Sequence, residues 1–120
     1  MKHLTISASD LLIIRRLFNI ADIALPLDFE NTKVEEIGEG GSRGIVKSGV
    51  NGLGTKVSSG VFYDTGDTPV FVDLFVDSKN NFHSLDYWKV DFTPINRTPI
   101  KPEEVLLSFE GKPLNNSDTN

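Results

Sequence analysis

Two histidines, no cysteine and six aspartates crowded between residues 64 and 91 are the groups with which this 120-residue chain can do chemistry. Asp64, Asp67, Asp73, Asp77, Asp86 and Asp91 offer carboxylates for acid–base work or oxygen ligands for calcium or magnesium. The stretch Asp64-Thr-Gly-Asp67 lacks the acid count and closing glutamate of a calcium loop, so no metal is expected. The plain reading is a solvated sheet face that resists edge aggregation. His83 lies beside Ser84 and Asp86, which invites a catalytic triad. Neighbours along a strand face opposite ways, however, so Ser84 and His83 meet only through a distortion. A surface or interface histidine is the simpler reading. His3 stands near the chain start, too far along the sequence to suggest a shared metal site. The absence of cysteine removes thiol nucleophiles, disulfides and cysteine zinc sites.

Ile37-Gly-Glu-Gly-Gly-Ser-Arg-Gly-Ile-Val46 looks like a phosphate-binding glycine loop. It departs from the kinase pattern at Arg43, where glycine is needed, and no catalytic-loop signature follows. A dinucleotide fingerprint needs a helix after the glycines to aim its N-terminus at the pyrophosphate. Here a strand pattern follows, so a hairpin turn is expected and no cofactor is assigned.

The elements that must position these groups are legible. Ser7 reads as an N-cap, with Asp10 three residues on in a capping-box position. Leu11, Ile14, Leu17, Phe18 and Ala21 then recur at helical spacing, and Leu12, Ile13, Ile20 and Ile23 widen the apolar arc. Pro26 is expected to end this helix. Strands are expected at 33–37, 44–47, 56–64, 70–76 and 82–92, with a short helical turn opened by Pro102-Glu-Glu. The last three strands are joined by compact Asn, Asp, Gly and Pro turns, which demand an antiparallel meander. The fold class is therefore α+β, an N-terminal helix packed on a mainly antiparallel β-meander sheet. One domain spans 1–110, and a flexible tail is expected at 111–120. Folding such a chain buries roughly two-thirds of its unfolded surface, enough for one core without staples.

Along 70–77, Val70, Val72, Leu74 and Val76 share one face; Phe71, Asp73, Phe75 and Asp77 share the other. The aliphatic face is assigned to the core beneath the helix. The strand at 82–92 changes phase, with Leu85 and Tyr87 apolar first, then Trp88, Val90 and Phe92. A bulge near Asp86 or Tyr87 is expected, and Trp88 is read as core. The outer Phe71 and Phe75 leave two readings open: a second layer covers them, or they anchor a partner inside an acidic rim.

Net charge is −5 and unevenly spread, with residues 26–41 and 64–91 acidic and 42–63 basic. An acidic surface repels phosphate backbones and attracts basic proteins, so direct nucleic-acid binding is not expected. No stretch approaches the roughly 18 apolar residues of a membrane-spanning helix, and the start lacks a secretory pattern. A cytoplasmic protein, monomeric or a weak dimer when free, is the expectation.

Phe82-His-Ser-Leu-Asp-Tyr-Trp-Lys-Val-Asp-Phe-Thr-Pro-Ile95, and above all Trp88 to Pro94, resembles a strand near the end of small bacterial domains. Those domains also open with a capped helix and carry a glycine-rich turn before a Val/Asp meander, so the resemblance spans residues 7–97. Many are similar to the immunity proteins encoded beside bacterial toxins, including those of contact-dependent growth inhibition. The resemblance implies a non-catalytic protein that neutralises one cognate toxin, here a basic nuclease, by covering its active cleft. It carries over no catalytic residue. Phe71, Asp73, Phe75, Asp77, Asp86 and Tyr87 are the expected toxin contacts, with Glu35, Glu36 and Glu39 as the fallback surface. The alternative is a small-molecule-binding or hydrolytic domain using His83, Asp86 and the glycine-rich loop.

Overall fold

The computed structural model describes residues 4–109 and 112–113. One helix packs on one face of an antiparallel sheet, an α+β fold. After the short strand β1 (Leu4–Thr5) comes α1 (Ala8–Ile20). Ser7 caps the helix by accepting the Asp10 amide at 3.1 Å. The helix stops six residues short of Pro26, because Ala21 takes the C-cap position and Asp22 turns left-handed at φ 57°.

The remaining strands are β2 (Lys33–Glu39), β3 (Ser42–Lys47), β4 (Thr55–Asp64), β5 (Thr68–Val76), β6 (Phe82–Lys89) and β7 (Leu106–Phe109). They lie in the order β1-β2-β3-β6-β5-β4-β7, and β8 (Lys112–Pro113) pairs with β7. The expected meander is β4-β5-β6, and β6 returns to lie beside β3. The Ser48–Gly54 connection must therefore carry the chain from β3 past β6 and β5 to β4. Pro102–Glu104 forms the expected short turn, a single turn of 3-10 helix. Of the tail expected at 111–120, Lys112 and Pro113 are in strand, and the rest falls outside the described residues, as does His3.

The core joins Ile13, Ile14, Leu17 and Phe18 of α1 to Val70, Val72, Leu74 and Val76 of β5, as the alternation requires. Phe62, Leu85 and Tyr87 complete it from the flanking strands. Val105 joins this core from beyond the strand meander and packs against the place where a Gly60 side chain would be.

The phase of β6 corrects the sequence expectation. Phe75 faces Ser84 but Val76 faces Phe82, so the extra residue is His83, not Asp86 or Tyr87. From there Leu85, Tyr87 and Lys89 point to the core, and Ser84, Asp86 and Trp88 point away. Trp88 is 43 % exposed on the outer face and is not core. β6 also ends at Lys89, three residues early, where Phe92 takes φ 59° to close a turn.

Candidate functional site

The outer face of the sheet collects four of the six expected contact residues. Asp73 and Asp86 stand directly opposite each other on β5 and β6, with Phe71 opposite Trp88 and Phe75 opposite Ser84. Phe71 is buried, outside the main core, because the Trp88 ring stacks on it at 5.6 Å and 28°. Phe92 then leans on Trp88 at 6.2 Å. Cover for the outer phenylalanines is thus partial: Trp88 shields Phe71, and Phe75 is half-buried beside Gly54 and His83.

Beside Trp88 lies a groove of about 470 Å³ lined by Ile37, Gly38, Ser42, Arg43, Gly44, Asp73, Asp86, Tyr87 and Trp88. Gly44 makes the room. Any Cβ there would fall 2.9 Å from the Asp86 Oδ1 and 3.0 Å from the Leu85 carbonyl oxygen. The Ser59 hydroxyl donates to one Asp73 oxygen at 2.6 Å, and Lys56 lies 3.9 Å from the other. Asp86 has no hydrogen-bond or ion-pair partner among the described residues. Desolvation and the facing Asp73 carboxylate raise its pKa, and His83 pulls the other way without prevailing.

Two expected contacts lie elsewhere. Asp77 terminates β5 and accepts the Lys79 and Asn81 amides at 2.8 and 3.0 Å, so its carboxylate holds the turn. Those two amides, the larger influence, lower its pKa. Tyr87 is buried on the inner face, where its hydroxyl donates to Asp10. Arg43 joins that pair, bonding both Asp10 oxygens at 3.3–3.4 Å and Glu36 at 2.9 Å, with its guanidinium 4.6 Å above the Tyr87 ring. Desolvation first, and the Asp10 charge second, raise the Tyr87 pKa well above its ordinary value. This network ties α1 to β2, β3 and β6. Of the fallback acids, Glu36 is thereby engaged, while Glu35 and Glu39 alternate with it along β2.

His83 makes the contact that regular strand geometry forbids, and the bulge is the distortion that permits it. Its Nε2 donates to the Gly52 carbonyl at 3.0 Å, which leaves Nδ1 to accept the Ser84 hydroxyl at 2.8 Å. The ring also packs where a Gly54 side chain would be, so His83 fastens the Ser48–Gly54 connection. The glycine run at 38–41 forms the β2–β3 hairpin and reaches β6 at its Trp88 end, away from His83. Of that run's extended motif, Gly44 is paired with Asp86 across the strands, and Ile37, Gly38, Ser42 and Arg43 line the same groove as Asp86, which His83 does not enter.

A second charged pair was not foreseen. Lys89 is buried and lies 2.8 Å from Asp64, donating also to the Pro94 carbonyl at 3.0 Å. Burial works against the Asp64 charge, yet Lys89 and the Asn96 and Thr65 amides outweigh it and bring its pKa to about 2. The pair fastens residues 94–96 to the end of β4.

The fold and the groove define a small α+β domain whose open sheet face combines facing carboxylates with exposed aromatic surface. Over residues 3–99 the chain matches the family described as "Domain of unknown function (DUF6984)" and belongs to it. No curated protein and no solved structure matched. Among the described residues no helix is long and apolar enough to cross a membrane, and no group of three or more potential ligands is placed to hold a metal ion.

Proposed function

We propose that the chain is an immunity protein, binding a basic cognate toxin domain through its outer sheet face and covering that domain's active cleft. The observation that supports this best is the facing pair Asp73 and Asp86 beside the half-exposed Trp88. Like charges directly opposite in a sheet oppose folding, and a cationic partner converts that repulsion into attraction. Trp88, Ile37 and Phe75 supply the apolar surface around the charges. Complementary charge raises the encounter rate, and aromatic burial slows dissociation. The similarity of Trp88 to Pro94 to domains like the immunity proteins supports a toxin as the partner. In this reading the chain acts in the cytoplasm, without cofactor or catalysis of its own.

The test is recovery of the tagged chain from its own cells at low and high salt. The expected result is one stoichiometric basic polypeptide, inert until the chain is stripped away and active afterwards. Its released activity then names the toxin class. A bound small molecule in place of a polypeptide would instead favour a ligand-binding or hydrolytic domain, for which the Ser84–His83 hydrogen bond is the specific geometry.

A further inference from the structure

The groove is more specific than an acidic surface. Its two carboxylates come from opposed positions of neighbouring strands, so they stand side by side at the fixed spacing of a cross-strand pair. Asp73 is held by Ser59 and approached by Lys56. Asp86 is unpaired among the described residues and extends over the space that Gly44 leaves open. Ile37 lies directly opposite Gly44 on one side, and Trp88 lies two residues beyond Asp86 on the other. The lining is therefore mixed: carboxylate oxygens in the middle, a branched aliphatic chain and an indole at the edges, and in the wall Arg43, whose guanidinium is already bonded to Asp10 and Glu36.

Resting on the immunity reading, we propose that this groove receives one arginine side chain of the partner protein, its guanidinium donating to Asp86 and lying against the Trp88 indole. Two properties favour guanidinium over an ammonium, and ligand number disfavours calcium. Its planar fork donates in parallel to a carboxylate, which an ammonium cannot do. It is weakly hydrated and stacks on aromatic faces, so a groove with apolar walls costs it little. A calcium ion takes six to eight oxygen ligands, more than two carboxylates provide. The net charge of −5 draws such a partner in, and the groove gives its arginine a fixed place to dock.

The probe is Nα-acetyl-arginine amide, titrated into the whole chain while the Gly44 amide and the Trp88 indole N–H are followed by NMR. Nα-acetyl-citrulline amide serves as the uncharged isostere and Nα-acetyl-lysine amide as the charged control. Saturable shifts confined to Gly44, Ile37, Asp86 and Trp88 are expected with arginine, weaker ones with lysine and none with citrulline. Asp86→Asn should weaken arginine binding roughly tenfold or more. Trp88→Leu should weaken it as well while leaving Asp86 in place. Equal shifts from lysine would overturn the guanidinium assignment, and shifts from citrulline, or shifts centred elsewhere, would overturn the groove. Failure here would leave the immunity reading standing if a basic toxin still co-purifies, since the partner would then dock on another surface.

Discussion

At the scale of single residues, Asp86 is the group whose chemistry runs against the fold. Its pKa is raised, so the folded chain holds that proton more tightly than the unfolded chain does. By linkage, stability must then fall as pH rises through the window that begins near the ordinary value of 3.8 and ends at the raised one. Asp86→Asn should therefore stabilise the protein at neutral pH, by roughly 0.2–1 kcal/mol for relief of an opposed like-charge pair. In strong acid, where the Asp86 carboxyl is neutral, the variant and the parent should unfold alike. Urea unfolding at the two pH values reads this directly. A less stable variant at neutral pH would mean that Asp86 has an attractive partner in the folded chain. Trp88 makes a second prediction. A core tryptophan replaced by alanine costs about 3–5 kcal/mol. A half-exposed ring whose main contact is the stack on Phe71 should cost about 1–2 kcal/mol. A measured loss in the higher range would place more of the ring out of water than the outer face allows.

At the scale of elements, β6 shows how far the pattern of residues could be read. The capped helix, the meander and the face alternation of β5 follow from local periodicity, and the structure has all three. The phase change in β6 was also visible, but not its position. Leu85 and Tyr87 fit one face, while Trp88, Val90 and Phe92 fit the other, and an apolar stripe of three reads as core. What decides against it is Lys89, a residue type that sequence alone assigns to solvent. It is buried because Asp64, some 25 positions earlier, supplies its counter-charge. Asp10 was hidden in the same way. Its place in the first helical turn suggested a cap, yet its carboxylate serves Arg43 and Tyr87, far along the chain. Within the groove, Asp73 and Asp86 were both legible as exposed acids. Their direct opposition depends on the bulge at His83, which no local signal locates. The Lys89–Asp64 pair carries its own test, because removing one member of a buried pair strands the other charge. Asp64→Asn should cost about 3–5 kcal/mol and loosen residues 94–96. The Asp64 pKa is depressed, so its contribution is present above the ordinary 3.8 and is lost as pH falls toward about 2. Acid unfolding of the parent should show that limb, and the variant should lack it. An identical acid profile for both would show that the pair does not hold the fold together.

At the scale of the whole molecule, the two faces of one sheet divide the work. The inner face is closed by α1 and by Val105, which reaches the core from beyond the family match at residues 3–99. The outer face is left to small local contacts, with Leu53 98 % exposed in the connection that His83 fastens and Phe92 63 % exposed beyond Trp88. Acidic charge lies centrally on this face, at Asp73 and Asp86, and the chain as a whole carries −5. Electrostatic steering acts on the approach of a partner and is screened over roughly 8–10 Å at physiological salt, whereas buried aromatic contacts act on its departure. Association of the proposed basic toxin should therefore slow steeply as salt is raised, with the dissociation rate nearly constant. Replacing Asp73 and Asp86 together by lysine should lower the association rate and flatten its salt dependence, while the chain still folds. Asp77→Lys should do much less to binding, because that carboxylate is occupied with its own turn. Rate constants by surface plasmon resonance across a salt series separate the two effects. A salt-independent association rate, or a double lysine variant that binds as fast as the parent, would move the interface off this face, with Glu35 and Glu39 on β2 the next surface to reverse.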